Sequence, residues 1–418
     1  MAEPPPRLIA LDGLRGLAVM GILLMNITAF ALPEAAYLNP RAYGGAGPAD
    51  ITAWALCFLF VDGKMRALFS LLFGASMLLV IERAEQAGED GATVHLRRMA
   101  TLLAIGLAHA YLLWSGDILM LYALTGTLAL AFVDRGVRWL VGLGLVLILG
   151  QFLLDAVLIH DLAALRDAAV GPAAPPHAID AWRAIADRVG IPSDAALDQA
   201  LDLYRGGYSG ILHERLTSGR SSPLLQLIGA GPETLGLMLL GMAGYRSGFL
   251  TGGWSRRAYA RVAILAYAVG LPALALIAIG CIRSGFDEMG TIAASQLASL
   301  PFRPIVMAGH VAIALLWLGR HRESGSTARI AAVGRAAFSN YIGTSLVMTT
   351  LFYGYGFGLF GQIGRAELYL IVPLAWAAML AWSKPWLDRY RYGPLEWLWR
   401  SLARGALQPM RRDKAIAS

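Results

Sequence analysis

The stretch "RLIALDGLRGLAVMGILLMNITAF", residues 7–30, decides the fold. Its centre is apolar enough for bilayer hydrocarbon, yet it carries Asp12, Arg15 and Asn26. The rest of the chain settles whether it is a membrane segment. Hydrophobic residues make up 57% of the 418 residues and charged ones only 15%, with a mean hydropathy of +0.57. Soluble domains carry about 25% charged residues. Apolar stretches of roughly 17 to 25 residues recur, each long enough for a hydrocarbon core of about 30 Å. The sequence predicts an all-α polytopic membrane protein, a single membrane domain over 1–418. The opening run is too long and too polar for a signal peptide and is read as a retained first helix.

The net charge of +7 is accounted for by topology, without nucleic acid. Cys57 and Cys281 lie in apolar stretches and give neither a disulfide framework nor metal-ligand spacing, so no metal is expected.

Ten spans are expected, near 14–32, 64–82, 97–114, 117–133, 138–160, 224–245, 258–281, 303–319, 336–355 and 367–384. One set of connections holds Arg83, Arg97 and Arg98; Arg135 and Arg138; Arg246, Arg256 and Arg257; Arg320, Arg322, Arg329 and Arg335; and the tail from Lys384 to Lys414. The other set holds only Arg41, Arg283, Arg303 and Arg365 in its short connections. The positive-inside rule puts the richer set, and both termini, in the cytoplasm. Residues 49–63, "ADITAWALCFLFVDG", are too short for a span and are read as an outer interfacial or re-entrant helix. Residues 161–222 are polar and form an extracytoplasmic helical insert with stretches at 179–189 and 194–216, the second capped by Ser193. Residues 385–418 form a cytoplasmic amphipathic tail, its segment "RYRYGPLEWLWRSLARG" suited to the membrane surface.

Polar residues within the spans carry the functional signal. Arg15 and Asn26 are 11 residues apart, about 20° around a helix axis and about 16 Å along it. Asp12 is one turn from Arg15, so a single stripe holds all three. Such a stripe must face protein or water. Asp12 and Arg15 can equally pair at the cytoplasmic interface, and Asn26 can bond a neighbouring helix. The third span repeats the spacing, with Arg98 and His109 also 11 apart and Asp117 just beyond. His109 and Asp117 fit a general base with its orienting carboxylate. They also fit a buried His and a helix cap. Lys64 opens the second span and can hold an anionic group or snorkel. Arg335 begins the ninth span in "GRAAFSNYIGTS". "YGYGFGLFGQIG", 353–364, lacks the ending and the preceding strand of a phosphate loop and is read as a flexible outer turn.

Several stretches resemble the YeiB family of bacterial inner-membrane proteins: "LDGLRGLAVMGILLMNITAF" (11–30), "AAYLNPRAYGG" (35–45), "GKMRALFSLLFGASML" (63–78), "GLAHAYLLWSGDILMLYALTG" (106–126), "GRAAFSNYIGTSLVMTTLFY" (334–353) and "YGPLEWLWRSL" (392–402). More distantly, the opening helix is similar to that of heparan-α-glucosaminide N-acetyltransferase, which has the transmembrane acyltransferase fold. That resemblance implies transfer of an acyl group from cytoplasmic acyl-CoA, with acetyl-CoA as the first candidate, to an acceptor at the outer face. Its Asp, Arg and Asn map to Asp12, Arg15 and Asn26. Its catalytic His lies in the following loop; the corresponding place here is near Tyr37, and this loop contains no His.

Two function classes stay open. An acyltransferase would bind the donor with Asp12, Arg15, Arg98 and Arg335, and would use His109 as base, Asp117 to orient it, and Asn26 and Lys64 on the polarised oxygen. A non-enzymatic transporter or binder of a lipid or metabolite would use the same stripes as a path. The expected partners are membrane lipids and a small-molecule acceptor, with homodimerisation left open, in the bacterial inner membrane.

Overall fold

The computed structural model describes residues 6–219 and 222–412. Residues 220–221 of the expected insert and 413–418 of the expected tail, Lys414 included, lie outside the described residues. The described chain is all-α, with one isolated bridge between Tyr390 and Arg411. The first half runs α1 (Pro6–Ala31), α2 (Ala35–Leu38), α3 (Pro48–Phe60), α4 (Lys64–Gln86), α5 (Gly91–Ala108), a π turn (His109–Leu113), α6 (Leu119–Ala129), α7 (Val137–Val170), α8 (Pro176–Val189), α9 (Asp194–Arg205) and α10 (Tyr208–Thr217). The second half runs α11 (Pro223–Arg246), α12 (Arg256–Arg283), α13 (Glu288–Ala293), α14 (Phe302–Arg320), α15 (Gly325–Arg335), α16 (Ala337–Phe352), α17 (Arg365–Leu368), α18 (Ile371–Arg389) and α19 (Pro394–Arg404).

Eight described segments are long and apolar enough to cross a membrane: α1, α3 with α4, α5 with its π turn, α7, α11, α12, α14, and α17 with α18. The fold is a polytopic helical membrane fold. Two of the ten expected spans are shorter than that: Leu119–Phe132, and α16, which begins only after a break at Ala336. The helix expected at 49–63 is α3, separated from α4 by Val61-Asp62-Gly63, where Gly63 takes a φ of 71°. A left-handed residue ends a helix, and glycine adopts it without steric cost.

The core is built on α1, which packs against α4, α14, α15 and α16. A Cβ on Gly334 would sit 1.8 Å from the Asp12 carbonyl oxygen, and one on Gly16 2.1 Å from that of Ile330. These two glycines let α1 and α15 cross backbone to backbone. Outward faces of α7 and α12 expose Leu145, Val146, Leu149, Leu153, Ile264, Leu265 and Leu276, the apolar surface a bilayer requires.

The bundle has two chemically distinct ends. At the basic end, Arg15 donates to Ser76 at 3.1 Å and α19 docks beneath α5. At the insert end, α7 runs on past its apolar part and α8, α9 and α10 follow. Ser193 caps α9, accepting from Ala196 at 3.4 Å. The single helical stretch expected at 194–216 is two helices, α9 and α10, parted at Gly206-Gly207. The glycine-rich 353–364 loop is clasped rather than free: Gly354 N donates to Tyr204 O at 2.8 Å and Gly361 N to Ala31 O at 2.8 Å.

Candidate active site

His109 begins the π turn, in which Trp114 N reaches back to the His109 carbonyl at 2.8 Å. The wider turn ends the helix, and Trp114 stacks on Phe30 of α1 at 3.9 Å between ring centroids. The chain then turns through Ser115-Gly116 and returns as α6. Asp117 precedes that helix and accepts from Met120 N through Oδ2 at 2.8 Å. Its Oδ1 lies 2.8 Å from His109 Nδ1. The helix cap and the orienting carboxylate are therefore one residue. His109 and Asp117 are 3% and 5% exposed.

The other ring nitrogen, Nε2, faces Ser345 Oγ of α16 at 3.0 Å. Asp117, His109 and Ser345 form a continuous hydrogen-bonded line. The carboxylate fixes the tautomer with the proton on Nδ1, which leaves Nε2 to accept from the serine hydroxyl. This is the arrangement that activates a serine for acyl transfer. Ser345 escapes sequence reading, because a helical serine ordinarily bonds its own backbone. Here that bond, to the Tyr341 carbonyl, is stretched to 3.4 Å.

Asn26 joins this group. It lines, with Ser345, Tyr341 and Thr344, a cavity of about 10 Å³ between α1 and α16, room for about one water. Lys64 does not join it, and the expected four-residue pocket does not form. Gly63 turns the first residue of α4 back on α3, so the ammonium donates to the Phe58 carbonyl and lies 5.3 Å from the Phe58 ring centroid. It belongs to a separate buried polar region. There Arg66 pairs with Glu233 at 2.5 Å and Arg303 lies 4.0 Å from the same carboxylate. Tyr37 also sits apart from His109, its hydroxyl donating to Asp62 at 2.7 Å beside Cys57 and Tyr369.

At the basic end, a cavity of about 220 Å³ opens among α1, α4, α5, α6, α15, α16 and α19. Arg15, Arg83, Arg98, Arg335 and Arg400 line it against one carboxylate, Glu396. Glu396 is occupied, accepting from Phe338 N at 2.7 Å, Ser339 N at 3.1 Å and the Ser339 hydroxyl at 2.5 Å. The wall is therefore strongly cationic. Three of the four expected donor-site residues, Arg15, Arg98 and Arg335, are on it. Asp12 is not on it; it pairs with Arg15 at 2.9 Å. The tail helix is more than a surface helix: Trp399 donates to the Arg98 carbonyl at 3.0 Å, and the Arg98 guanidinium lies 4.1 Å from the Trp399 ring centroid. Exposed Leu398 and Leu402 keep an apolar face for the bilayer.

Tyr341 joins the two places. It lines the arginine cavity and the small Asn26–Ser345 cavity alike. Its ring centroid is 5.3 Å from that of His109, and its buried hydroxyl has no hydrogen-bond partner among the described residues.

Residues 244–406 match the family model described as a protein of unknown function, DUF418. The chain is 34% identical over 425 residues to the uncharacterized protein YeiB of Escherichia coli, covering 96% of this chain and 98% of that one. It is 29% identical over 431 residues to the uncharacterized protein YxaH of Bacillus subtilis, covering 98% and 97% respectively. Sharing a third of its residues with YeiB across nearly the whole of both chains, the protein belongs to the YeiB family.

Proposed function

We propose that this protein is a membrane-embedded acyltransferase that moves an acyl group from a phosphate-bearing donor of the acyl-CoA class, acetyl-CoA being the simplest, to a small-molecule acceptor. The observation that carries the reading is the position of Tyr341, with an arginine-lined cavity on one side and the Asp117–His109–Ser345 line on the other. The cationic wall suits the donor's phosphates: Arg98 and Arg335 offer planar forks that match phosphate oxygens. The donor supplies an activated thioester. Ser345 gives its proton to His109 Nε2 while Oγ bonds the acyl carbon, and Asp117 stabilises the imidazolium. The carbon–sulfur bond breaks and the His109 proton leaves with the thiol. His109 then takes the acceptor's proton, the acyl group passes to the acceptor, and Ser345 is restored. Asn26 and the Tyr341 hydroxyl are placed to donate to the polarised carbonyl oxygen. In this reading the basic end and both termini face the cytoplasm and the insert lies outside, an orientation that the arginine bias supports, and the membrane is a bacterial inner membrane.

A carrier of an anionic amphiphile is the second reading. It is favoured by Tyr37, which stands at the place of the distant relative's loop His and is tied to Asp62. Incubating purified protein with acyl-labelled acetyl-CoA separates the two. Transfer predicts release of CoA and label on Ser345, both lost in Ser345→Ala. Binding without thiol release supports the carrier.

A further inference from the structure

Arg215, in α10 of the insert, is 3% exposed, and its Nε, Nη1 and Nη2 have no hydrogen-bond partner among the described residues. Its described neighbour of note is Tyr353, whose ring centroid lies 5.9 Å from the guanidinium carbon, at the outer limit of a cation–π contact, and whose neutral hydroxyl interacts with the guanidinium without supplying a counter-charge. Other equally buried arginines are satisfied differently. Arg303 donates to Ser299 at 3.1 Å and to the Ser295 carbonyl, and Arg365 donates to the Ala36 carbonyl. A guanidinium removed from water without a counter-charge is strongly destabilising. Its retention calls for an anion.

The position says which site that anion would serve. Tyr208, on the same helix, donates to the Leu112 carbonyl at 2.7 Å and so pins α10 to the π turn that begins at His109. Ile211, one turn before Arg215, packs in the cluster holding Trp114, Phe30 and Tyr353. Trp114 in turn lies edge-on to His109 at 6.4 Å between ring centroids. Tyr353 follows α16 eight residues after Ser345, about 12 Å along a helix axis.

We propose that Arg215 binds a phosphate group carried by the acceptor, at the insert end of the His109 site. A phosphate suits this guanidinium, whose planar fork pairs two parallel N–H groups with two phosphate oxygens while a remaining N–H can reach a further oxygen of the tetrahedral group. The assignment to an acceptor rests on the acyl-transfer reading; the phosphate site itself does not. The phosphate can belong to a phospholipid headgroup or to a soluble phosphate, and the test distinguishes them.

Purified full-length protein carrying Arg98→Gln and Arg335→Gln, which weaken the basic-end cavity as a competing phosphate site, is melted in detergent. Arms contain chloride alone, inorganic phosphate at matched ionic strength, phosphatidylglycerol or phosphatidylcholine. The expected result is a Tm raised by several degrees with phosphatidylglycerol, whose headgroup charge is its phosphate alone, and raised less with phosphatidylcholine, whose choline cation competes with Arg215 for the same phosphate. A further rise with inorganic phosphate would show that the site admits soluble phosphates; a rise confined to the lipid would assign a headgroup. Adding Arg215→Leu should raise Tm in chloride, since the unpaired charge is gone, and should abolish the anion response. No anion response before the substitution would overturn the proposal, as would an anion response that Arg215→Leu leaves unchanged. Should the leucine variant not accumulate, Arg215→Lys decides: less than half the original shift supports the site, and an equal shift, or no shift in either protein, overturns it. None of these outcomes bears on labelling of Ser345, so the acyl-transfer reading stands or falls separately.

Discussion

His109 Nδ1 and Asp117 Oδ1 lie 2.8 Å apart across a π turn and a chain reversal, with both side chains almost wholly shielded from solvent. The geometry assigns Asp117 two tasks, and a substitution can divide them. Asp117→Asn keeps an oxygen for the Met120 N–H but no longer enforces the His109 tautomer. Acyl transfer should fall by roughly 10³–10⁴-fold with little change in Tm. CoA release and thermal melting check this; a fall in Tm matching that of Asp117→Ala would leave only the cap.

The basic-end cavity makes a separable prediction. Arg98→Gln should weaken acyl-CoA binding roughly tenfold through loss of one charged hydrogen bond, without changing turnover at saturation. Arg15→Ala should weaken it more than Arg15→Lys, since a point charge keeps part of the phosphate attraction. Equilibrium binding and steady-state kinetics read both.

Glycine packing can be tested against a control in the neighbouring helix. Gly334→Ala forces a Cβ against the Asp12 carbonyl, and should cost about 1–3 kcal/mol. Gly343→Ala meets nothing within 4 Å and should be neutral or stabilising by about 0.5–1 kcal/mol. Parallel melts of the two variants give the comparison.

Glu396 caps the start of α16 from another helix, since Phe338 N and Ser339 N have no partner within their own first turn. Glu396→Ala should cost about 1–2 kcal/mol and free the tail. Faster proteolysis between α18 and α19 than in the wild type would register the release.

Topology is checked by cysteine labelling in intact cells. Positions near Ala195 and Arg329 should label from opposite sides, and labelling from one side would refute the arginine-based orientation.

Much of this architecture is legible in the sequence because lipid imposes long apolar runs and makes polar residues conspicuous within them. His109 and Asp117 stood out for that reason, as did Arg15 and Arg98. Ser345 did not, since a serine in a helix looks the same whether it bonds its backbone or a distant imidazole. Lys64 was misplaced because helix spacing cannot foresee the turn at Gly63 that folds its ammonium onto Phe58. The Arg66–Glu233 pair joins residues 167 positions apart, a separation beyond any periodicity. Arg215 hid in a polar insert, where an arginine ordinarily meets water. The ninth expected span, 336–355, ends early at Phe352, where the chain turns extended at Tyr353 and enters the clasped 353–364 loop.

The most direct test of the central claim is equilibrium binding of acetyl-CoA to the purified protein, measured in parallel with Arg98→Gln/Arg335→Gln and with His109→Ala. The account predicts saturable binding that CoA competes away, at least tenfold weaker in the arginine double variant and unchanged in His109→Ala. Absence of saturable binding, or equal affinity in the wild type and the double variant, would contradict it.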